Sequence, residues 1–173
     1  RDYMLEGYKQ MILYYLQINS AKDMAEYVGL ALDLAVRCNY HKEIGIILRL
    51  KGLCHYMMGN YTQAEKLLTE SINTLAVTET IAKRYATNIA AAYNYIGEIR
   101  LAHGTYREAL ELFQKAISLC VGKNALASLS YFYINAGKTA YYLEDLSMAR
   151  EFFDKAYDLL VQFDPFGRRS VLD

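Results

Sequence analysis

The sequence predicts an all-α fold, a TPR-like superhelical solenoid of about four antiparallel helix pairs. Three observations predict it. Good helix-start residues recur at long, regular spacings. Glycine recurs at one fixed place inside helical stretches. The single proline of the 173 residues, Pro165, stands near the end, so long helices run uninterrupted before it.

The starts set the register. Ser20, Asn60, Thr105 and Asp145 carry short polar side chains of the kind that accept a bond from an orphan N–H of a first helical turn. They lie 40, 45 and 40 residues apart. Thr105 with Glu108 reads as a capping box, and Asn60 with Gln63 as a near relative of one. Gly59 and Gly104 precede two of these caps, where a left-handed residue closes the preceding helix.

Other positions keep the same register. Four residues after each cap stand Met24, Ala64, Ala109 and Ala149; eight after, Val28, Leu68, Phe113 and Phe153; eleven after, Ala31, Ser71, Ala116 and Ala156. These offsets share one helical face and alternate small with large. Small residues let two helices approach and the large one fills the groove between them. Eight before each cap stand Ile12, Gly52, Gly97 and Gly137. A mid-helix glycine costs up to about 1 kcal/mol against alanine, so its recurrence implies that a neighbouring side chain needs the space.

Gly52…Gly59-Asn60-Tyr61…Ala64…Leu68…Ser71 resembles the tetratricopeptide repeat (TPR) signature, and Gly97…Gly104-Thr105-Tyr106…Ala109…Phe113…Ala116 resembles it again. Gly137…Leu146…Ala149…Phe153…Ala156 fits a third time, while the first unit, with Ile12 and Met24, fits worst. TPR units usually run 34 residues; these run 40 to 45, so their helices are expected to be longer. The expected repeats are 1–39, 40–77, 78–122 and 123–164, forming one domain over 1–164. The expected helices are 3–19, 21–38, 41–58, 61–76, 79–103, 106–121, 124–143 and 146–163. A five-residue excess between Ser71 and Gly97 lengthens the fifth helix or the loop before it. Residues 165–173, with Pro165, Gly167 and the Arg168-Arg169 pair, read as a linker or as the start of a further helix near Ser170. The chain opens on Arg1 rather than Met, from which we expect a fragment or a processed chain.

Composition narrows the function. At 54% hydrophobic and 22% charged residues the chain is neither disordered nor collagen-like. Zero net charge removes the usual electrostatic footprint of a nucleic-acid binder, whose affinity rests on phosphate neutralisation. No run of apolar residues is long enough for a membrane span, and no signal peptide opens the chain. A cytoplasmic location follows. Cys38, Cys54 and Cys120 are too few for a disulfide framework and read as buried free thiols. Cys38 with His41, and Cys54 beside His55, lack the second ligand pair that zinc requires. No phosphate loop, nucleophile elbow or HExxH motif is present. The expectation is a non-enzyme with no cofactor and no metal.

The TPR resemblance implies that the first helix of each pair lines a concave, ligand-binding face. By register that face holds Lys9, Leu13 and Leu16; then Arg49, Leu53, Tyr56 and Met57; then Asn94, Tyr95, Glu98 and Leu101; and then Tyr131, Asn135, Lys138, Tyr141 and Tyr142. Tyrosine, 17 residues of the chain, is a favoured interface residue, and asparagine can both donate to and accept from a peptide backbone. The candidate binding residues are therefore Arg49, Tyr56, Asn94, Glu98, Tyr131, Asn135, Lys138 and Tyr141. Asn94, Glu98, Asn135 and Lys138 are expected to be exposed there, because polar groups are costly to bury unpaired. The terminal-carboxylate clamp of chaperone-binding TPR domains is not matched, since Leu13, Leu50, Ala91 and Tyr95 stand at four of its five positions and Lys9 alone fits. Starting one repeat later, Arg49, Leu53, Tyr95, Tyr131 and Asn135 fail as well.

The long helix pairs also resemble TPR regions of bacterial signal-responsive regulators, including peptide-sensing quorum regulators and the sensor arms of large ATP-dependent transcription activators. The expected function is a protein- or peptide-binding sensor or scaffold module of such a regulator. The alternative is a self-association arm of a transcription regulator or signalling enzyme. Neither reading has this segment touch nucleic acid or membrane directly.

Overall fold

In the computed structural model, residues 3–163 are described. Among them are nine helices: α1 (Tyr3–Gln17), α2 (Ala21–Arg37), α3 (His41–Met57), α4 (Tyr61–Leu75), α5 (Glu79–Arg84), α6 (Ala86–Ala102), α7 (Tyr106–Cys120), α8 (Leu126–Tyr142) and α9 (Leu146–Phe163). No strand occurs among the described residues. The linker expected at Pro165, the Arg168-Arg169 pair and the helix start near Ser170 lie outside them. The chain forms two compact units, one up to Tyr95 and one from Ile96, with α6 running through the division.

The helices follow the apolar spacing. In α2 the buried side chains are Met24, Val28, Ala31 and Ala35, and in α7 Ala109, Phe113, Ala116, Ile117 and Cys120. Such stripes at three- and four-residue intervals bury one face of a helix. In the first unit α1 packs on α2, α2 on α3 and α3 on α4; in the second, α7 packs on α8 and α8 on α9.

The register glycines have the role expected of them. A Cβ on Gly52 would stand 2.8 Å from Leu68 Cγ, on Gly97 2.7 Å from Phe113 Cε1, and on Gly137 2.8 Å from Phe153 Cε1. In the first pair the bulk is divided the other way: Ile12 and the smaller Val28 share one core cluster. A further close approach escaped the register. A Cβ on Gly45 would meet Leu75 at 2.7 Å, and the buried Ser71 Oγ donates to the Gly45 carbonyl at 2.7 Å. Gly45 and Gly52 lie seven residues apart on α3, both against α4.

The helix joints repeat one geometry. Asn19, Asn39, Gly59, Gly104 and Glu144 all take the left-handed conformation, with φ between 55° and 77°. Each donates its N–H three residues back, and the next N–H reaches five residues back, as in Gly59 to Tyr56 O (2.9 Å) and Asn60 to His55 O (2.8 Å). This is the Schellman pattern, which satisfies the last carbonyls of the helix.

The caps lie where the sequence placed them, but their bonds differ. Only Asp145 closes as expected, its Oδ1 accepting from the Met148 N–H at 2.9 Å. Ser20, Asn60 and Thr105 make no side-chain cap bond. Ser20 donates instead to the Asp23 carboxylate. Thr105 Oγ1 donates back to the Arg100 carbonyl at 3.0 Å, and Glu108 pairs with Arg100 at 3.1 Å, so no capping box forms. The tight Schellman turn holds these side chains toward the helix just ended.

The expected helix 79–103 is two helices. The backbone leaves helical geometry at Tyr85 (φ −102°, ψ 19°), and Thr78, with its Oγ1 accepting from the Ile81 N–H, caps the short α5. The five-residue excess is thus taken up by an extra helical turn and its junction. Cys38 corrects another expectation: it is exposed, being the C-cap of α2, whereas Cys54 and Cys120 are buried.

Candidate binding surfaces

In the first unit, Arg49 and Tyr56 stand on α3. The Arg49 Nε is buried without a hydrogen-bond partner, and burial pushes the guanidinium below its usual range while the nearby Tyr95 hydroxyl acts in the opposite sense. Tyr56 is half-buried, with its ring 5.5 Å from that of Tyr95 and 5.8 Å from that of Tyr61. Asn94 is not a surface group: it is 1% exposed. Lys9 pairs with Glu43 at 2.6 Å, tying α1 to α3.

In the second unit, Glu98 on α6 gathers two side chains of α8. Its Oε1 accepts from Tyr131 Oη at 3.1 Å and from Asn135 Nδ2 at 3.3 Å. Asn135 is 4% exposed, so it also departs from the expected exposure. The reason is shared by Asn94 and Asn135: an amide can be buried when it is hydrogen-bonded, and burial of polar groups is costly only when they are unpaired. Glu98 is half-buried. Tyr131, Lys138 and Tyr141 are exposed, as their register implied.

Two participants were not singled out from sequence. Thr139 is fully buried and donates to the Asn135 carbonyl at 2.7 Å. Tyr106, at the first position of α7, stacks on Tyr142 of α8 with ring centroids 5.1 Å apart and planes within 10°. The matching position of α4 also carries a tyrosine, Tyr61, and that recurrence was the available signal.

Among the described residues no group of three or more His, Cys, Asp or Glu side chains stands together in a way that could hold a metal ion. No helix among them is long and apolar enough to cross a membrane. The surfaces offer aromatic rings, amides and separate charges, which suit recognition of another chain.

Repeated antiparallel helix pairs, closed by one kind of turn and locked by glycine–aromatic contacts, define a TPR-like helical-repeat protein. Solved structures share this fold. BtubC (BKLC) from P. vanneervenii is similar with a TM-score of 0.74 and 18% identity over 94% of this chain, which spans 65% of the length of that one. MamA is similar with a TM-score of 0.62 and 17% identity over 94% of this chain and 81% of that chain. At such identities the likeness is one of fold alone. No family model matches the sequence, and no curated protein matches it.

Proposed function

We propose that the chain is a protein- or peptide-binding module, working as one repeat domain over 1–164 and forming the cytoplasmic sensor or scaffold part of a larger bacterial regulatory protein. The observation that carries this reading is the outward face of α8. Tyr131, Lys138, Tyr141 and Tyr142 are all exposed along it, while Asn135, Ala136, Thr139 and Ala140 anchor its other side. Rigid aromatic side chains held on a packed helix bury area at little entropic cost, which is the usual make-up of a binding hot spot. Glu98 fixes the Tyr131 hydroxyl, so that ring is preorganised. Arg49 and Tyr56 form a second, separate patch on the first unit.

The test uses peptides selected from a random library on the intact chain. Tyr131→Ala, Lys138→Ala and Tyr141→Ala should each weaken the selected peptides about tenfold or more, the usual loss at a hot spot. Lys66→Ala and Glu111→Ala, on second helices of their pairs, should leave binding unchanged. Loss of binding with the second pair of changes and not with the first would place the interface on the other face.

A further inference from the structure

The two ends of the repeat array expose the surfaces that interior repeats bury against each other. The second helix of a pair carries one such surface, twelve and fifteen residues after its cap. In α2 these positions are Leu32 and Ala35, and they pack in one core cluster with Ile47 and Cys54 of the following helix α3. In α4 they are Ile72 and Leu75, and in α7 Ile117 and Cys120, all buried. In α9 they are Tyr157 and Leu160, exposed by 58% and 43%. The first position of the helix behaves alike: Tyr106 of α7 stacks on Tyr142 of α8, whereas Leu146 of α9 is 65% exposed.

The first helix of a pair carries the complementary surface, thirteen and six residues before the cap. These positions are Ile47 and Cys54 in α3, Ala92 and Ile99 in α6, and Phe132 and Thr139 in α8, and all are buried. In α1 they are Gly7 and Tyr14. Gly7 has nothing within 4 Å of where a Cβ would stand, and Tyr14 is 52% exposed. The chain therefore holds an unpaired copy of each half of its own α2–α3 interface.

We propose that a second copy of this chain covers α9, its α1 laying Gly7 and Tyr14 against Leu146, Tyr157 and Leu160, so that copies associate head to tail. The match is steric as well as apolar, because the open Gly7 gives a tyrosine ring room to approach. Such a contact is heterologous: each copy uses its α9 toward one neighbour and its α1 toward another. It uses neither the outward face of α8 nor the Arg49 patch, so it stands or falls apart from the ligand-binding reading.

The experiment is light scattering and sedimentation of the intact chain over a concentration series, with two variants. One carries Tyr157→Lys and Leu160→Lys; the other carries Gly7→Lys and Tyr14→Lys. All four side chains are exposed or open, so circular dichroism should report unchanged helicity. The unmodified chain should gain mass with concentration, and each variant alone should lose at least about tenfold in association. Mixed one to one, the two variants should regain a single contact and form a heterodimer and nothing larger. A chain that stays monomeric into the hundreds of micromolar would overturn the proposal and leave α9 to a different partner. Undiminished self-association of the α1 variant would overturn it too, by showing that α9 pairs with α9 about a two-fold axis.

Discussion

The ring of Phe113 occupies the space that a side chain on Gly97 would need, with Cε1 2.7 Å from the Cβ position. Because the ring is itself fully buried, it has little room to yield. Gly97→Val should lower stability by about 1–3 kcal/mol, the usual cost of overpacking a core. Gly7→Ala meets no neighbour and should raise stability by up to about 1 kcal/mol, the helix-propensity gain over glycine. Urea melts of the two variants check both signs.

Asn94 and Asn135 are buried, so their removal should act on folding as well as on any ligand. Asn94→Ala and Asn135→Ala should each destabilise by about 1–3 kcal/mol, the cost of stranding buried hydrogen-bonding partners. Lys138→Ala, at an exposed site, should change stability by no more than about 0.5 kcal/mol. Thermal melts of the three variants distinguish buried amides from surface ones.

The thiols should separate kinetically and by pH. In native protein an aromatic disulfide reagent should modify Cys38 quickly and Cys54 and Cys120 slowly, and in denaturant all three should react. Burial pushes the Cys54 thiol up to about 11 from its ordinary 9.0. The folded state thus keeps a proton that the unfolded chain releases, and the stability this provides is lost as pH rises from about 9 to about 11. Cys54→Ala should flatten that part of the stability–pH curve; an unchanged slope would contradict the assignment.

Glu144 holds φ at 62° in a turn where Gly59 and Gly104 stand at equivalent joints. A left-handed non-glycine residue costs roughly 1–2 kcal/mol. Glu144→Gly should therefore raise the melting temperature, and Gly104→Ala should lower it.

Much of this fold was legible because its joints and contacts are written in single residues. The caps, the glycines at 52, 97 and 137 and the bulky residues eight after each cap set the helix pairing before any coordinates. The break at Tyr85 was not legible: no glycine or proline marks it, and Glu79–Ala102 reads as one helical stretch. Candidate-site residues were placed on the right helices, but not at the right depth. Register says which face a side chain takes, and whether an asparagine on that face is solvated depends on partners that sequence separation hides, as Glu98 and Asn135 show across 37 residues. The exposure of Cys38 was missed because an apolar neighbourhood in sequence ended at a helix terminus in space.

The repeated turn bears on how such a chain grows. Asn19, Asn39 and Gly59 are spaced by 20 residues and share one backbone conformation, although one joint lies between pairs and the others lie within them. A gene segment encoding a single helix and its turn, excised at one of these joints and inserted at another, would find matching backbone on both flanks. The grain of duplication is then one helix rather than one pair, and whether a helix serves as the first or second member is written in its side chains alone.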